Sequence, residues 1–153
     1  MNYKIKLFLC ILLPLLVGGI SGYFTSQSIT TWYVFLIKPT FNPPNYLFGP
    51  VWTTLYILMG ISFYMIVNQA KIHWSLVGIF VLQLILNFFW SFIFFNYHLL
   101  GLALAEIILL WLSIFTMIIL FYKNNKWAAL INIPYLLWVS FATILNYSIY
   151  KLN

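Results

Sequence analysis

Five apolar runs, each about as long as a membrane-crossing helix, dominate this sequence and restrict what the chain can fold into. They cover residues 5–24, 47–67, 74–95, 99–122 and 127–150. A helix needs about 20 apolar residues to cross a hydrocarbon layer about 30 Å thick, whereas a β-barrel strand needs about 10 with alternating polarity, a pattern these runs lack. With 65% hydrophobic and 5% charged residues, the chain is predicted to be one all-α membrane domain over residues 1–153, a five-transmembrane-helix bundle.

The connection between the first two runs, residues 25–46, is long, whereas the other three connections are short. It carries Trp32, Tyr33 and several prolines with almost no charge. Surface loops are ordinarily polar, so this aromatic segment is predicted to fold back over the apolar bundle as a lid. Pro43 and its neighbours should end the loop and start the second helix, with Pro50 tolerated in the first turn.

The lysines predict the orientation of the bundle. Five lie at one end of a five-span arrangement (Lys4, Lys6, Lys71, Lys123 and Lys126) and two at the other (Lys38 and Lys151). The positive-inside rule then predicts a cytoplasmic N-terminus, in what we expect to be a bacterial cell membrane. The lysines behind the net charge of +6 are expected to set the topology and to contact membrane lipid, so no nucleic-acid partner is expected. A signal peptide is the less favoured interpretation of the first run, which has full span length.

Conventional catalytic groups are scarce in this sequence. Glu106 is the single acidic residue, which excludes paired carboxylates and a Ser–His–Asp triad. His73 and His98 lie near helix ends and are expected at the interface, so no metal site is predicted, and Cys10 is expected to pack. Glu106 itself is either a functional group or a protonated or water-bridged side chain that bonds a neighbouring helix. Whether the chain is an enzyme stays open.

Glycines in the first run allow close helix contact. Gly18 and Gly22 are four residues apart, a spacing that favours packing within the bundle and, as the second alternative, a homodimer seam.

A dense pattern of aromatic, proline and small polar residues resembles the TspO/translocator protein family, also called tryptophan-rich sensory proteins or peripheral benzodiazepine receptors. The resemblance begins in the loop and second helix, with Trp32, Tyr33, Leu36, Lys38, Pro39, Pro43, Pro44, Gly49, Pro50, Val51, Trp52, Leu55 and Tyr56. It continues with Leu86, Asn87, Trp90, Phe94, Phe95, Gly101, Ala103, Leu104 and Glu106, and ends with Pro134, Tyr135, Leu137, Trp138, Phe141, Ala142, Thr143, Leu145, Asn146 and Tyr147.

This resemblance implies a bundle that binds porphyrins, especially protoporphyrin IX, and other hydrophobic small molecules in an aromatic cavity under the first loop. Porphyrin would be a ligand, and no cofactor would be required. The ligand-binding residues carried over are Trp32, Tyr33, Pro43, Trp52, Tyr56, Asn87, Trp90, Ser91, Phe94, Trp138, Phe141 and Ala142. Helical spacing places residues 87, 90, 91 and 94 on one face, and residues 138, 141, 142 and 145 on another, with room for a ligand. Spacing alone favours the alternative that these rings simply pack the bundle.

Several positions depart from the family pattern. Phe41 and Asn42 stand where many members have Trp and His, and Leu102 replaces a common tryptophan, which puts the range of ligands in doubt. Leu145, Tyr147 and Lys151 fit a weak sterol-contact motif.

Three functions follow from the resemblance. The first is a porphyrin-binding receptor or transporter. The second is a light- and oxygen-dependent porphyrin-degrading enzyme with Trp52 and Trp138 as electron or radical partners, and the third is a stress-regulated membrane scaffold.

Overall fold

The computed structural model describes residues 2–153, and this part of the chain is helical without any β-strand. Six α-helices follow one another: α1 (Tyr3–Thr31), α2 (Phe48–Val67), α3 (Trp74–Ser91), α4 (Leu100–Asn124), α5 (Lys126–Leu130) and α6 (Ile133–Leu152). A short 3-10 turn, Tyr33–Phe35, lies in the connection between α1 and α2, and a second, Asn45–Leu47, directly precedes α2. A π-helix, Phe92–Asn96, extends α3.

These helices form five segments that are long and apolar enough to cross a membrane: Tyr3–Thr31, Asn45–Val67, Trp74–Asn96, Leu100–Asn124 and Lys126–Leu152. The predicted five-helix membrane bundle is therefore confirmed. Around the bundle α1 packs on α2, α2 on α5, α4 on α5 and α6, α3 on α4, and α1 on α3. The helices thus form a closed ring in the order α1, α2, α5 with α6, α4 and α3.

The first helix is longer than the sequence analysis predicted. Residues 25–31 were assigned to the loop, but they continue α1 up to Thr31. The hydroxyls of Thr25 and Thr31 donate to the carbonyls of Ser21 and Gln27, one turn earlier, at 2.9 and 2.8 Å. These bonds satisfy the polar side chains within the helix, so the actual first loop is residues 32–44.

The predicted fifth helix is interrupted near Asn132. Pro134 has no N–H to donate to the carbonyl one turn back, and the chain turns between α5 and α6. The Asn132 amide fixes this turn by donating to the Ala128 carbonyl at 2.9 Å and to the Ser62 hydroxyl at 2.7 Å. Ser62 in turn donates to the Ala128 carbonyl at 2.7 Å, which joins α2 to the break.

Close contact between α1 and α2 depends on two glycines. A Cβ atom at Gly60 would lie 2.7 Å from the Cys10 carbonyl oxygen, and one at Gly18 would overlap the Tyr56 ring. Pro14 cannot donate to the Cys10 carbonyl in the usual helical pattern, which leaves that oxygen facing Gly60. Gly18 therefore serves packing within the bundle, as the favoured interpretation predicted, and the homodimer stays a prediction.

Candidate functional site

A hydrogen-bonded chain of buried side chains joins three helices at the centre of the bundle. The Tyr56 hydroxyl donates to Asn87 Oδ1 at 2.7 Å, and Asn87 Nδ2 donates to the Tyr135 hydroxyl at 2.9 Å. The Tyr135 hydroxyl donates onward to Gln83 Oε1 at 2.8 Å. Every residue of this central polar network is at most 5% exposed. Because unpaired polar groups are costly in an apolar interior, these bonds fix α2, α3 and α6 relative to one another.

Trp52 connects this network to an aromatic pocket nearer the first loop. Its ring stacks on Tyr56 with centroids 5.6 Å apart and meets the edge of Tyr135 at 6.3 Å. The aromatic pocket is lined by Tyr33, Phe48, Trp52, Trp90, Phe94, Phe95, Trp138, Phe141, Ala142, Leu145, Asn146 and Ile149. Eight of these twelve side chains are aromatic, so the pocket presents flat apolar surfaces from the loop, α2, α3 with its π-helix, and α6.

The aromatic pocket is nearly filled by its own rings. Its volume is about 30 Å³, which is room for roughly two water molecules. Trp138 lies between Phe48 at 6.3 Å and Phe141 at 5.5 Å, measured between ring centroids. In this conformation the aromatic side chains close on one another, and room for a ligand beside the small residues stays a prediction.

Two indole groups in the pocket differ in their hydrogen bonding. Trp90 Nε1 donates to Asn146 Oδ1 at 3.1 Å, and Asn146 Nδ2 donates to the Leu100 carbonyl at 3.1 Å. Trp138 Nε1 is buried and has no hydrogen-bond partner within residues 2–153. A buried N–H without a partner is costly, so this donor is available to an acceptor atom of a ligand.

An open apolar groove lies on the other side of Trp138. This α2–α6 groove has a volume of about 510 Å³ and is lined by Pro50, Val51, Thr54, Leu55, Leu58, Pro134, Leu137 and Trp138. Trp138 lines both the groove and the aromatic pocket. Rotation of this one ring would therefore change the boundary between the closed pocket and the open groove.

The first loop contacts the bundle through aromatic side chains. Tyr33 is 2% exposed and packs against Phe95, with ring centroids 5.6 Å apart. Trp32 stacks on His98, in the α3–α4 connection, at 4.0 Å, and Phe41 meets Phe141 at 6.2 Å. Through Tyr33 and Phe41 the loop thus contacts residues of the aromatic pocket.

Polar bonds fix the conformation of the loop. The Tyr33 hydroxyl donates to Asn42 Oδ1 at 2.7 Å, and burial raises the pKa of Tyr33 to about 12. The Ile37 N–H donates to Asn153 Oδ1 at 3.0 Å, while Asn153 Nδ2 donates to the Ile37 carbonyl at 2.9 Å. The loop is thereby joined to the residue that follows α6. Lys38 Nζ lies 4.8 Å from the centre of the Tyr33 ring, a cation–π contact.

The structure brings together seven of the twelve residues carried over from the family. The seven that line the aromatic pocket are Tyr33, Trp52, Trp90, Phe94, Trp138, Phe141 and Ala142. The others lie elsewhere: Asn87 and Tyr56 belong to the central polar network, Trp32 stacks on His98, Ser91 faces a groove beside α1, and the Pro43 carbonyl accepts a bond from Asn42.

Five pocket residues stand outside the list carried over from the family: Phe48, Phe95, Leu145, Asn146 and Ile149. Leu145 nevertheless lies on the helical face that the spacing predicts for Trp138. Helical spacing holds the signal for most of them. Phe48 is one turn before Trp52, and Ile149 is one turn after Leu145, which had been assigned to the sterol motif. Phe95 follows the same spacing, one turn after Ser91 on the predicted face, and it lines the pocket beside Phe94 from within the π-helix.

The sterol motif is not assembled on one surface. Leu145 is 6% exposed and lines the aromatic pocket, whereas Tyr147 is 49% exposed, with Lys151 Nζ 5.9 Å from its ring centre. Tyr147 and Lys151 are thus arranged as interfacial anchors, separate from Leu145.

Glu106 is buried at 8% exposure, and neither carboxylate oxygen has a hydrogen-bond partner in the described part of the chain. Neither a functional role for this carboxyl group nor a protonated or water-bridged contact to a neighbouring helix is therefore decided, and both stay predictions. No group of three or more metal-ligating side chains occurs among residues 2–153.

Fold and pocket together define a multi-pass, all-helical integral membrane protein with an interior lined by aromatic side chains. The chain belongs to the TspO/MBR family, whose family model matches residues 10–152. It is 43% identical to the tryptophan-rich protein TspO of Archaeoglobus fulgidus over 150 residues, which cover 97% of each chain. It is also 41% identical to the protein of that name from Chlorobaculum tepidum, over 100% of this chain and 99% of the relative. Identity to the human translocator protein is 34% over 80% of this chain and 75% of the relative.

Proposed function

We propose that this protein is a membrane receptor or transporter that binds porphyrins, with protoporphyrin IX as the model ligand, in the aromatic pocket under the first loop. The observation that carries the proposal is the convergence of eight aromatic side chains, one of which, Trp138, has a buried N–H without a hydrogen-bond partner among residues 2–153. Flat rings favour a flat ligand, since each aromatic pair adds about 0.5–1.5 kcal/mol beyond burial. Membership of a family that includes a translocator protein supports the role.

Binding requires the pocket to enlarge. Ligand sites for molecules of this size typically have volumes of about 300–1,000 Å³, far above the 30 Å³ present. The α2–α6 groove supplies space of that order, about 510 Å³, and only the Trp138 ring belongs to both. Displacement of Trp138 would join the two volumes and would bring its N–H to an acceptor on the ligand.

The first loop acts as the lid of this site in our proposal. Tyr33 supplies part of the pocket wall, and Phe41 contacts the pocket residue Phe141. The loop is also bonded to Asn153 beyond α6, so opening it would break contacts with two elements at once.

Titration with protoporphyrin IX tests the binding site. The purified protein in detergent, kept in the dark, should show saturable quenching of tryptophan fluorescence. Trp138→Phe keeps an aromatic ring but removes the N–H donor, and the loss of one hydrogen bond worth about 0.5–1.5 kcal/mol should weaken affinity roughly 2- to 12-fold. Trp127→Phe is the matched control, because Trp127 is 67% exposed at the start of α5, and its affinity should equal that of the wild type.

Two results would contradict the proposed site. One is quenching that rises linearly with porphyrin and never saturates, as unspecific partition into the micelle does. The other is equal affinity of Trp138→Phe and the wild type, which would place the porphyrin away from this indole.

Further measurements distinguish the three functions that the family resemblance implies. Uptake of porphyrin into vesicles that contain the protein, against protein-free vesicles, selects transport. Light-dependent bleaching of bound porphyrin that is lost in Trp138→Phe, with binding kept, selects the degrading enzyme. Saturable binding with neither activity selects a receptor, and the absence of saturable binding selects the scaffold.

A further inference from the structure

A second groove opens between α1, α2 and the end of α3, separate from the aromatic pocket. This α1–α2–α3 groove has a volume of about 370 Å³, within the range of sites for drug-sized ligands. Four rings line both spaces and form the wall between them: Phe48, Trp52, Trp90 and Phe95. The groove is therefore adjacent to the aromatic pocket and shares a wall with it.

Glycines create the space in this groove. A Cβ atom at Gly19, Gly22 or Gly49 would meet no other atom within 4 Å. All three residues line the groove, two from α1 and one from α2. The empty volume thus results directly from missing side chains along two facing helices.

The lining of the groove is polar near the first loop and apolar farther from the loop, and it contains no charged residue. Along α1 it runs from Ile29, near the loop, to Leu15, fourteen residues away, which at 1.5 Å per residue is roughly 21 Å. Asn45 lies at the same loop end, at the start of the second span. A molecule that matches this surface has a short polar head and an uncharged hydrocarbon body.

The hydrogen bonds of the lining side chains define the polar head of the matching molecule more closely. The hydroxyls of Thr25, Ser26 and Thr53 donate to backbone carbonyls of their own helices, so their oxygen atoms remain as acceptors. The amide of Asn45 and the hydroxyl of Ser91 add donors. A head that contains both a hydroxyl donor and a carbonyl acceptor satisfies both kinds of group, and an acylglycerol has both.

We propose that the α1–α2–α3 groove binds an uncharged acylglycerol lipid from the leaflet at the loop end of the bundle. Its acyl chain lies along the glycines of α1 toward Leu15, and its ester and hydroxyl oxygens lie among the polar side chains near Ser26 and Asn45. This site does not depend on porphyrin binding in the aromatic pocket.

Photo-crosslinking in phosphatidylcholine vesicles tests the site without any porphyrin present. The probe is a monoacylglycerol with a diazirine in its acyl chain, added in trace amount, and cross-linked peptides are located by mass spectrometry. In the wild type, cross-links should concentrate in residues 15–29 and 45–56, and excess unlabelled monoacylglycerol should suppress them. A fatty acid of equal chain length should compete poorly, because its carboxylate would enter a groove without a cation.

Variants that fill the groove provide the decisive comparison. Gly22→Leu and Gly49→Leu, from opposite walls, should each reduce the specific cross-links at least about tenfold, because several buried methylene contacts are lost. Gly78→Leu is the matched control: a Cβ there also meets nothing within 4 Å, but Gly78 lies on α3 outside the groove, so labelling should be unchanged.

Three outcomes would overturn the proposal. These are cross-links spread evenly over all lipid-facing helices, equal labelling of both groove-filling variants and the wild type, and equal competition by the fatty acid. The circular dichroism spectrum of each variant should match that of the wild type. A loss of labelling then cannot result from a loss of helical structure. Because two walls are altered independently, a folding defect in one variant leaves the other as the test.

Discussion

Removal of the Tyr135 hydroxyl should destabilise the bundle about twice as much as removal of the Tyr56 hydroxyl. The Tyr135 hydroxyl accepts from Asn87 at 2.9 Å and donates to Gln83 at 2.8 Å. The Tyr56 hydroxyl donates to Asn87 at 2.7 Å, and its other polar neighbour, the Ser21 hydroxyl, donates to the Gly18 carbonyl at 3.2 Å. Hydrogen bonds between membrane helices contribute about 0.6 kcal/mol on average and up to about 1.7. Tyr56→Phe should therefore lower the free energy of unfolding by about 0.6–1.7 kcal/mol, and Tyr135→Phe by roughly 1.2–3.4.

Unfolding in mixed micelles by titration with a denaturing detergent, followed by helical circular dichroism, measures both losses. Tyr122→Phe is the control, because Tyr122 is 51% exposed at the end of α4 and its substitution should change little. A Tyr135→Phe variant that loses no more stability than Tyr56→Phe would refute the assignment of two bonds to the Tyr135 hydroxyl.

The same two variants should leave the aromatic pocket intact. Trp52 contacts the rings of Tyr56 and Tyr135, and phenylalanine keeps both rings. Affinity for protoporphyrin IX should accordingly stay within about twofold of the wild type, since no ring contact is removed. A large loss of affinity would show that the hydroxyls, and not the rings, support the pocket.

Two further predictions concern the α1–α2 contact and the loop. Gly60→Ala should destabilise the protein by about 1–3 kcal/mol, because the added Cβ would lie too close to the Cys10 carbonyl. Gly78→Ala should stabilise α3 by up to about 1 kcal/mol, because a Cβ there meets no other atom. If thermal unfolding ranks the two variants in the opposite order, the close contact at Gly60 is contradicted. The Tyr33 hydroxyl has a pKa of about 12 in the folded protein against an ordinary value of 10.0, so the unfolded chain loses this proton first as the pH rises. Its contribution to stability is complete below pH 10 and should be lost between about pH 10 and 12. Melting temperatures of the wild type and Tyr33→Phe should therefore converge over this range, and a constant difference would count against the buried position of Tyr33.

Hydropathy and proline positions were enough to predict the five spans, because a membrane helix is defined by length and lack of charge. The same signal failed at residues 25–31, which are polar by composition but helical in the structure. Thr25 and Thr31 bond to carbonyls of their own helix, which compensates their polarity. A single sequence does not show whether a hydroxyl will be satisfied in this way or will face water, so the end of α1 was placed too early.

The aromatic pocket could be predicted in part, since residues on one helical face follow from regular spacing. Trp138, Phe141 and Ala142 were grouped correctly for this reason. Phe95 extends the predicted face by one turn, whereas Ser91 of that face lines the α1–α2–α3 groove, because regular spacing does not show how the π-helix turns this end of α3. The volume of the pocket was also beyond the sequence, because it depends on how rings from four segments close on one another.

The paired bonds between Asn153 and Ile37 couple the first loop to the end of α6. A spectroscopic probe on the exposed last turn of α6, for example at Leu152, would consequently sense any displacement of the loop. Ligand-induced motion at the mouth of the bundle could then be followed from a position that touches neither the porphyrin nor the rings around it.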